Sequence, residues 1–293
     1  DWQLREDTST EGEVAMTEID DTNYTGNIPT APDGTVIRYK VAVEFADGST
    51  KTFPDNAADP RYEFYVGEVT ELYCTNFEDE DPFANGWTHE LVQGEDSEGA
   101  DDWSWGPPLT DPAVGDPLFA YSGDNVIGND LGEGDFNGRY QANKINRATS
   151  PVIDTMDYSD VRLQYRRFLT VEDSFFDKAT IYANDNAVWT NFNSQNGDSS
   201  NTHHQDLEWV FHDVPLSPFV TTDGQIQVAY EIDSDGGLEL GGWTIDDFCI
   251  VANTNAICGD SQLYGPEECD DGDGNSNTEP DACRENCLAA FCG

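Results

Sequence analysis

The 293-residue sequence predicts an all-β chain made of several modules, on three observations. Apolar and polar residues alternate with period two in short runs, as in Val161-Arg162-Leu163-Gln164-Tyr165 and Gln225-Ile226-Gln227-Val228, the pattern of a half-buried strand. Gly, Asn, Asp and Pro separate these runs and long helical periodicity is absent, as in a sandwich or jelly roll. Five of the seven cysteines fall in the last 36 residues, where large apolar side chains are few, so cross-links must replace a core there.

Taken in order, residues 1–68 read as strands. From Ile37 to Phe45 the odd positions are apolar and the even ones mostly polar. Asp47-Gly48 follows as a hairpin turn, Thr50 to Phe53 is the return strand, and Tyr62-Glu63-Phe64-Tyr65-Val66 is a further strand. A whole immunoglobulin-like sandwich needs about 100 residues, so this unit is expected to be part of such a domain, begun before residue 1. Residues 69–254 form the largest unit. Val161, Leu163 and Tyr165, then Ala179 to Ala183 before an Asn-Asp-Asn turn, then Ile226, Val228, Tyr230 and Ile232 mark strands, and Trp243 to Ile250 closes the unit. The stretch 94–138 is rich in Asp, Gly and Pro and is expected to be long loops. Residues 255–293 carry Cys258, Cys269, Cys283, Cys287 and Cys292 with spacing C-x10-C-x13-C-x3-C-x4-C.

The charge excludes whole classes of partner. Asp and Glu number 59 against 13 Lys and Arg, for a formal net charge of −46. Nucleic acid and anionic membrane surfaces need clustered Lys and Arg. At 12% aromatic, the chain is not a disordered acidic tail. No run of about 18 apolar residues is present to span a membrane, and no leader is visible, so any leader lies outside the chain. The cysteine density predicts an oxidising compartment. Catalytic signatures are missing: His89-Glu90 does not continue to HExxH, and no Gly-x-Ser-x-Gly elbow or phosphate-cradling loop occurs. His203-His204 lies in a polar stretch and reads as a solvated turn. Arg162, Arg166, Arg167 and Lys178 are expected to pair with local carboxylates.

Cys74 and Cys249 flank the middle unit. If its first and last strands are neighbours, a bridge between them contributes on the order of 5 kcal/mol in the chain-entropy model. Cys292 either pairs within the tail, leaving another cysteine for a partner beyond residue 293, or pairs with sequence beyond it. Zinc is disfavoured in the tail, which has no CxxC pair and no His. Asp270, Asp271, Asp273, Asn275 and Asn277 place oxygen side chains around small residues, a loop suited to Ca²⁺. It is not an EF-hand, because position twelve from Asp271 is Ala282 rather than Glu. Trp103 and Trp105 are expected on a loop, either as a platform for sugar rings or packed beneath it.

Two resemblances add to this reading. Cys258-Gly259-Asp260, Gly265-Pro266-Glu267-Glu268-Cys269-Asp270-Asp271-Gly272, Asp281-Ala282-Cys283-Arg284 and Cys287 resemble the myxobacterial-type cysteine-rich disulfide repeat, with Cys292-Gly293 opening a further copy. Ser261 and Gln262 depart from its usual Gly. This resemblance implies a secreted or surface-displayed bacterial protein. Asn76-Phe77-Glu78 with Gly86-Trp87, Asp102 to Gly106, Thr149 to Asp154, and Gly242-Trp243-Thr244-Ile245-Asp246-Asp247-Phe248 resemble the MAM-type jelly roll found beside secreted metalloproteases of the immune inhibitor A kind. It implies a non-catalytic binding or adhesion domain that often holds a structural cation, for which Glu78, Asp173, Asp177 and Asp247 are the candidate ligands. Together these imply an extracellular adhesion or structural segment of a larger bacterial protein, stabilised by calcium and disulfides and a unit of an assembly such as a filament. The expected partners are other protein modules, copies of itself or a surface glycan. An accessory C-terminal region of a secreted metalloprotease and a carbohydrate-binding module are the alternatives.

Overall fold

The computed structural model describes residues 1–97, 99–109, 115–132, 137–156, 158–195, 197, 201–253, 259 and 268–289. Eight strands come first: β1 (Trp2–Leu4), β2 (Glu11–Gly12), β3 (Thr17–Asp20), β4 (Asn23–Thr25), β5 (Thr35–Tyr39), β6 (Val41–Glu44), β7 (Thr50–Phe53) and β8 (Tyr62–Val66). Four of them form an antiparallel sheet in the order β2-β1-β5-β8, while β3–β4 and β6–β7 are separate hairpins. The alternating run from Ile37 to Phe45 is therefore not one strand. It breaks at Lys40, whose amide bonds the Asp1 carbonyl, and the second half turns out into the β6–β7 hairpin with Val43 and Phe45 exposed. That hairpin turns at Asp47-Gly48, where Gly48 has φ of +82° and the Asp47 carboxylate accepts the Ser49 amide.

Fourteen strands follow: β9 (Val69–Thr75), β10 (Thr88–Gln93), β11 (Trp103–Gly106), β12 (Val126–Asn129), β13 (Ile145–Thr149), β14 (Ile153–Asp154), β15 (Val161–Val171), β16 (Lys178–Ala183), β17 (Asn186–Thr190), β18 (His204–Gln205), β19 (Val210–Pro215), β20 (Gln225–Ile226), β21 (Val228–Asp233) and β22 (Gly242–Asn253). One sheet runs β10-β13-β21-β16-β17. The other is centred on the long β15–β22 pair, with β12 and β9 beside β22, β11 outside β12, and β18 and β19 beside β15. Trp87, Tyr165, Tyr230, Trp243 and Phe248 fill the core between them. The stretch expected as long loops between 94 and 138 contains the antiparallel pair β11–β12, so that expectation is corrected. Its strands are short and interrupted by Gly and Ser, which hides the alternation.

A bulge sets the inward face of β22. Between Asp246 and Cys249 it carries one residue more than β15 does from Gln164 to Arg166, and Asp247 there takes φ of +46°. Trp243 and Ile245 before the bulge, and Phe248 and Ile250 after it, thereby all reach the core. Cys74 on β9 and Cys249 on β22 are register partners and are disulfide-bonded, closing a sequence separation of 175 residues. In the tail Cys269 bonds Cys283, and Cys287 is also in a disulfide. Cys258 and Cys292 lie outside the described residues.

The N-terminal sheet packs its strand β8 against β19, the edge strand of the sandwich. Burial here is polar. Arg5 Nη1 donates to the Asp213 carbonyl at 2.5 Å, and the Asp213 amide donates to Glu63 Oε1 at 2.6 Å, so two side chains satisfy the edge peptide. Arg5 and Arg162 both bond the Asp213 carboxylate, and Arg38 bonds Glu63. Burial pushes the Glu63 carboxyl up, against the pull of Arg5 and Arg38. Nearby, Arg167 donates to Asp206 at 2.8 Å and to Asp59 at 2.8 Å, and Asn56 donates to Asp206 at 2.9 Å. Burial would raise Asp206, but Arg167 and then His204 hold it well below the usual carboxylate range.

Because Arg167 and Asp206 are both buried, removing one leaves an uncompensated charge. Arg167→Met is expected to lower the unfolding free energy by about 3–5 kcal/mol. Adding Asp206→Asn should restore much of that loss in denaturant titrations. Strictly additive losses would show that the two charges are not coupled.

Candidate functional site

A cavity lies where two loops of the sandwich meet beside the N-terminal sheet. Gly115–Phe119 forms one wall, Asp206–Trp209 the other, and Phe168 of β15 the floor, around a volume of about 380 Å³. Local packing explains its shape. Gly115 has φ of +96°, and a Cβ there would meet the Thr170 side chain at 2.9 Å, so the first loop lies directly on β15. Trp209 Nε1 donates to the Phe119 carbonyl at 3.0 Å and ties the walls together. The Trp209 ring stands edge-on to Phe168 at 5.7 Å and to Tyr121 at 6.4 Å. Leu118, Phe119 and Leu207 are left 67%, 68% and 66% exposed at the rim. The second wall is held by the N-terminal unit, through Asn56 on Asp206 and through the Tyr62 hydroxyl on Glu208 at 2.5 Å.

Sequence reasoning did not single out this cleft. The signal present was Leu118-Phe119, two large apolar residues in a stretch of Gly, Asp and Pro, with Leu207 between acids. The aromatic pair that it did single out lies elsewhere. Trp103 and Trp105 are on strand β11 rather than on a loop. Trp103 is buried in the core, while Trp105 packs against it with Nε1 donating to the Phe77 carbonyl at 2.8 Å. Trp103 has no exposed face, and Trp105 is half-buried.

The four sandwich carboxylates do not converge as a set. Glu78 accepts the Asp124 and Asn125 amides, and Asp247 accepts the Ser122 hydroxyl, so both hold one loop. Asp173 accepts the Phe175, Ser194 and Thr202 amides. Asp177 is the one that joins other acids: oxygens of Glu172, Asp177 and Asp235 lie within 4.8 Å of one another, the one such group among the described residues. Glu172 and Asp235 were missed because they lie outside the quoted motifs, as Asp173 and Asp177 also do, and no local signal marks which acids meet. A side chain at Gly237 would come within 2.8 Å of Asp235 Oδ1, so the loop wraps tightly over the acids. Burial first, then Asp177 and Asp235, push the Glu172 carboxyl up to about 7. An all-oxygen donor set of this kind fits a hard cation such as Ca²⁺.

In the tail the expected calcium side chains make internal hydrogen bonds. Asp270 accepts the Gly259 and Gly272 amides and the Asn275 side chain, and Asp271 accepts the Cys283 amide. Asn275 in turn accepts the Asp271 amide, and Asn277 pairs with Glu285. Asp273 belongs to the 3-10 turn Gly272–Gly274 and joins no group of three acids among the described residues.

The histidines have structural partners. His89 pairs with Asp101, which raises its pKa above the ordinary value. His203 accepts the Asp173 amide. His204 is buried on β18 against Asp206 rather than on a solvated turn. His212 is buried and meets the Tyr165 hydroxyl, and burial, then Arg167, hold its pKa well below the ordinary value. Arg166 lies over the Tyr121 ring at 4.1 Å, and Arg162 and Arg167 carry the buried ion pairs.

No family model matches the chain. Among curated proteins, Bacillopeptidase F of Bacillus subtilis (strain 168) is 28% identical over 150 residues, half of this chain but only 9% of the length of that protein. Among solved structures, the K1 cleaved adhesin domain of Lys-gingipain from Porphyromonas gingivalis W83 is 15% identical with a TM-score of 0.38, covering 64% of this chain and 99% of that one. The mannan-recognising carbohydrate-binding module TmCBM27 is 10% identical with a TM-score of 0.37, covering 64% of this chain and all 100% of its own. The strand pairing described above, rather than these low scores, establishes the β-sandwich.

Proposed function

We propose that the chain is a non-catalytic extracellular recognition segment, with adhesion as its role and the cleft between Gly115–Phe119 and Asp206–Trp209 as its ligand site. The cleft carries this reading. A soluble surface rarely leaves large apolar side chains together at the mouth of a cavity unless something binds there. Leu118, Phe119 and Leu207 are each about two-thirds exposed at such a mouth. Disulfides persist in oxidising compartments, which supports the extracellular setting. Among the described residues no helix is long and apolar enough to cross a membrane. A second reading, an accessory region of a longer peptidase, is supported by the 150-residue likeness to Bacillopeptidase F. The two are compatible, since an accessory region also acts by binding.

The reading is tested by surface binding of the whole chain to a panel of neutral polysaccharides and matrix proteins. At least one should be retained, and Leu118→Ser with Phe119→Ser should abolish retention without lowering Tm. Retention unaffected by that variant would remove the cleft from the function.

Calcium is proposed at Glu172, Asp177 and Asp235, where it would neutralise three acids brought together by the β15–β16 and β21–β22 connections. At a hundred times its Kd, Ca²⁺ is expected to add about 2.7 kcal/mol of stability. Glu172→Gln with Asp235→Asn should erase the rise in Tm seen by calorimetry. No rise beyond an ionic-strength control would remove the site.

A further inference from the structure

We infer that the cleft takes a protein segment presenting a large apolar side chain flanked by Lys or Arg, an inference that rests on the recognition reading above. The cavity of about 380 Å³ has room for one or two side chains. Three of the exposed side chains at its rim are hydrocarbon: Leu118, Phe119 and Leu207 offer neither hydroxyl nor amide, and the acid Glu208 stands beside them. Two polar groups at the floor already have partners, which leaves Asp116 and Glu208 as the other acids of the lining. The Trp209 N–H is donated to the Phe119 carbonyl, and the Asp206 carboxylate accepts Arg167, Asn56 and the Leu169 amide. A sugar entering here would bury hydroxyls with few groups to receive them, which costs about 1–3 kcal/mol for each one left unpaired. An apolar side chain has no such cost and gains about 25 cal/mol for each Å² it covers.

Charge selects the flanks of that segment. Among the described residues the cleft lining contains Asp116, Glu208 and the Arg167-paired Asp206, and no Lys or Arg. Arg167 is paired with Asp206 and Asp59, and Arg166 lies over the rings of Tyr121 and Phe211. The whole chain carries −46, so its field draws cations towards the mouth and repels acidic partners. An apolar anchor between basic residues meets both features at once.

The test uses the whole chain and fluorescently labelled, amidated octapeptides read by anisotropy. One carries central Phe-Leu flanked by lysines, a second Phe-Leu flanked by glutamates, and a third Ser-Gly flanked by lysines. The first should bind at least about tenfold tighter than either control, and Leu118→Ser with Phe119→Ser should remove that advantage at unchanged Tm. Both positions are exposed, so the fold should tolerate the change. Equal binding of the Ser-Gly peptide would mean charge alone acts and would overturn the inference. Retardation on mannan or xyloglucan gels that the same variant abolishes would also overturn it, while leaving the recognition reading in place. No binding of any probe that depends on Leu118 and Phe119 would overturn both.

Discussion

The peptide of Asp213 lies on the edge strand of a sandwich, and two side chains from another sheet complete its hydrogen bonds. Glu63 accepts its amide and Arg5 donates to its carbonyl. An edge strand normally leaves such groups to water or to another chain's strand. Here a carboxylate and a guanidinium take the place of a neighbouring strand, and both are largely shielded from solvent. Buried charges of this kind are costly unless fully paired. Arg162 and Arg38 complete the pairing, so each acid at the contact faces a base. The chain has only 13 Lys and Arg, and three of them meet at this one contact.

The cleft depends on the same contact. Its second wall begins at Asp206, which Arg167 of β15 and Asn56 of the N-terminal unit hold in place, and it continues to Glu208, which takes the Tyr62 hydroxyl. Docking the N-terminal sheet thus fixes one side of the cavity, while the β15 strand and Thr170 fix the other. A site framed by two units is pre-organised, and less binding energy is then lost to ordering its walls.

Much of the fold was legible because its signals are local. The Asp47-Gly48 hairpin, the strand from Tyr62 to Val66, and the closing strand from Trp243 to Ile250 depend on neighbours in sequence. The Cys74–Cys249 bridge was legible as a flanking pair. What was hidden is non-local. Lys40 breaks an alternating run because it meets Asp1, a contact no window of nine residues contains. Trp103 looked like a loop aromatic because β11 is short and its partner β12 lies more than twenty residues away. Of the four sandwich acids named as candidate ligands, only Asp177 joins a group of three acids among the described residues, since ligand convergence is set by how loops fold back. The cleft escaped notice for the same reason: Phe119 and Trp209 are 90 positions apart and joined by one hydrogen bond.

Glu63 and Arg5 close the edge of the sandwich at Asp213 and so join the N-terminal sheet to the sandwich. Amide hydrogen exchange of Asp213 in the native chain tests it most directly. Protection comparable to the paired amides of β15 and β22, falling sharply in Glu63→Ala while those amides keep theirs, is the predicted result. Exchange of the wild-type Asp213 amide at the rate of an open strand edge would contradict it.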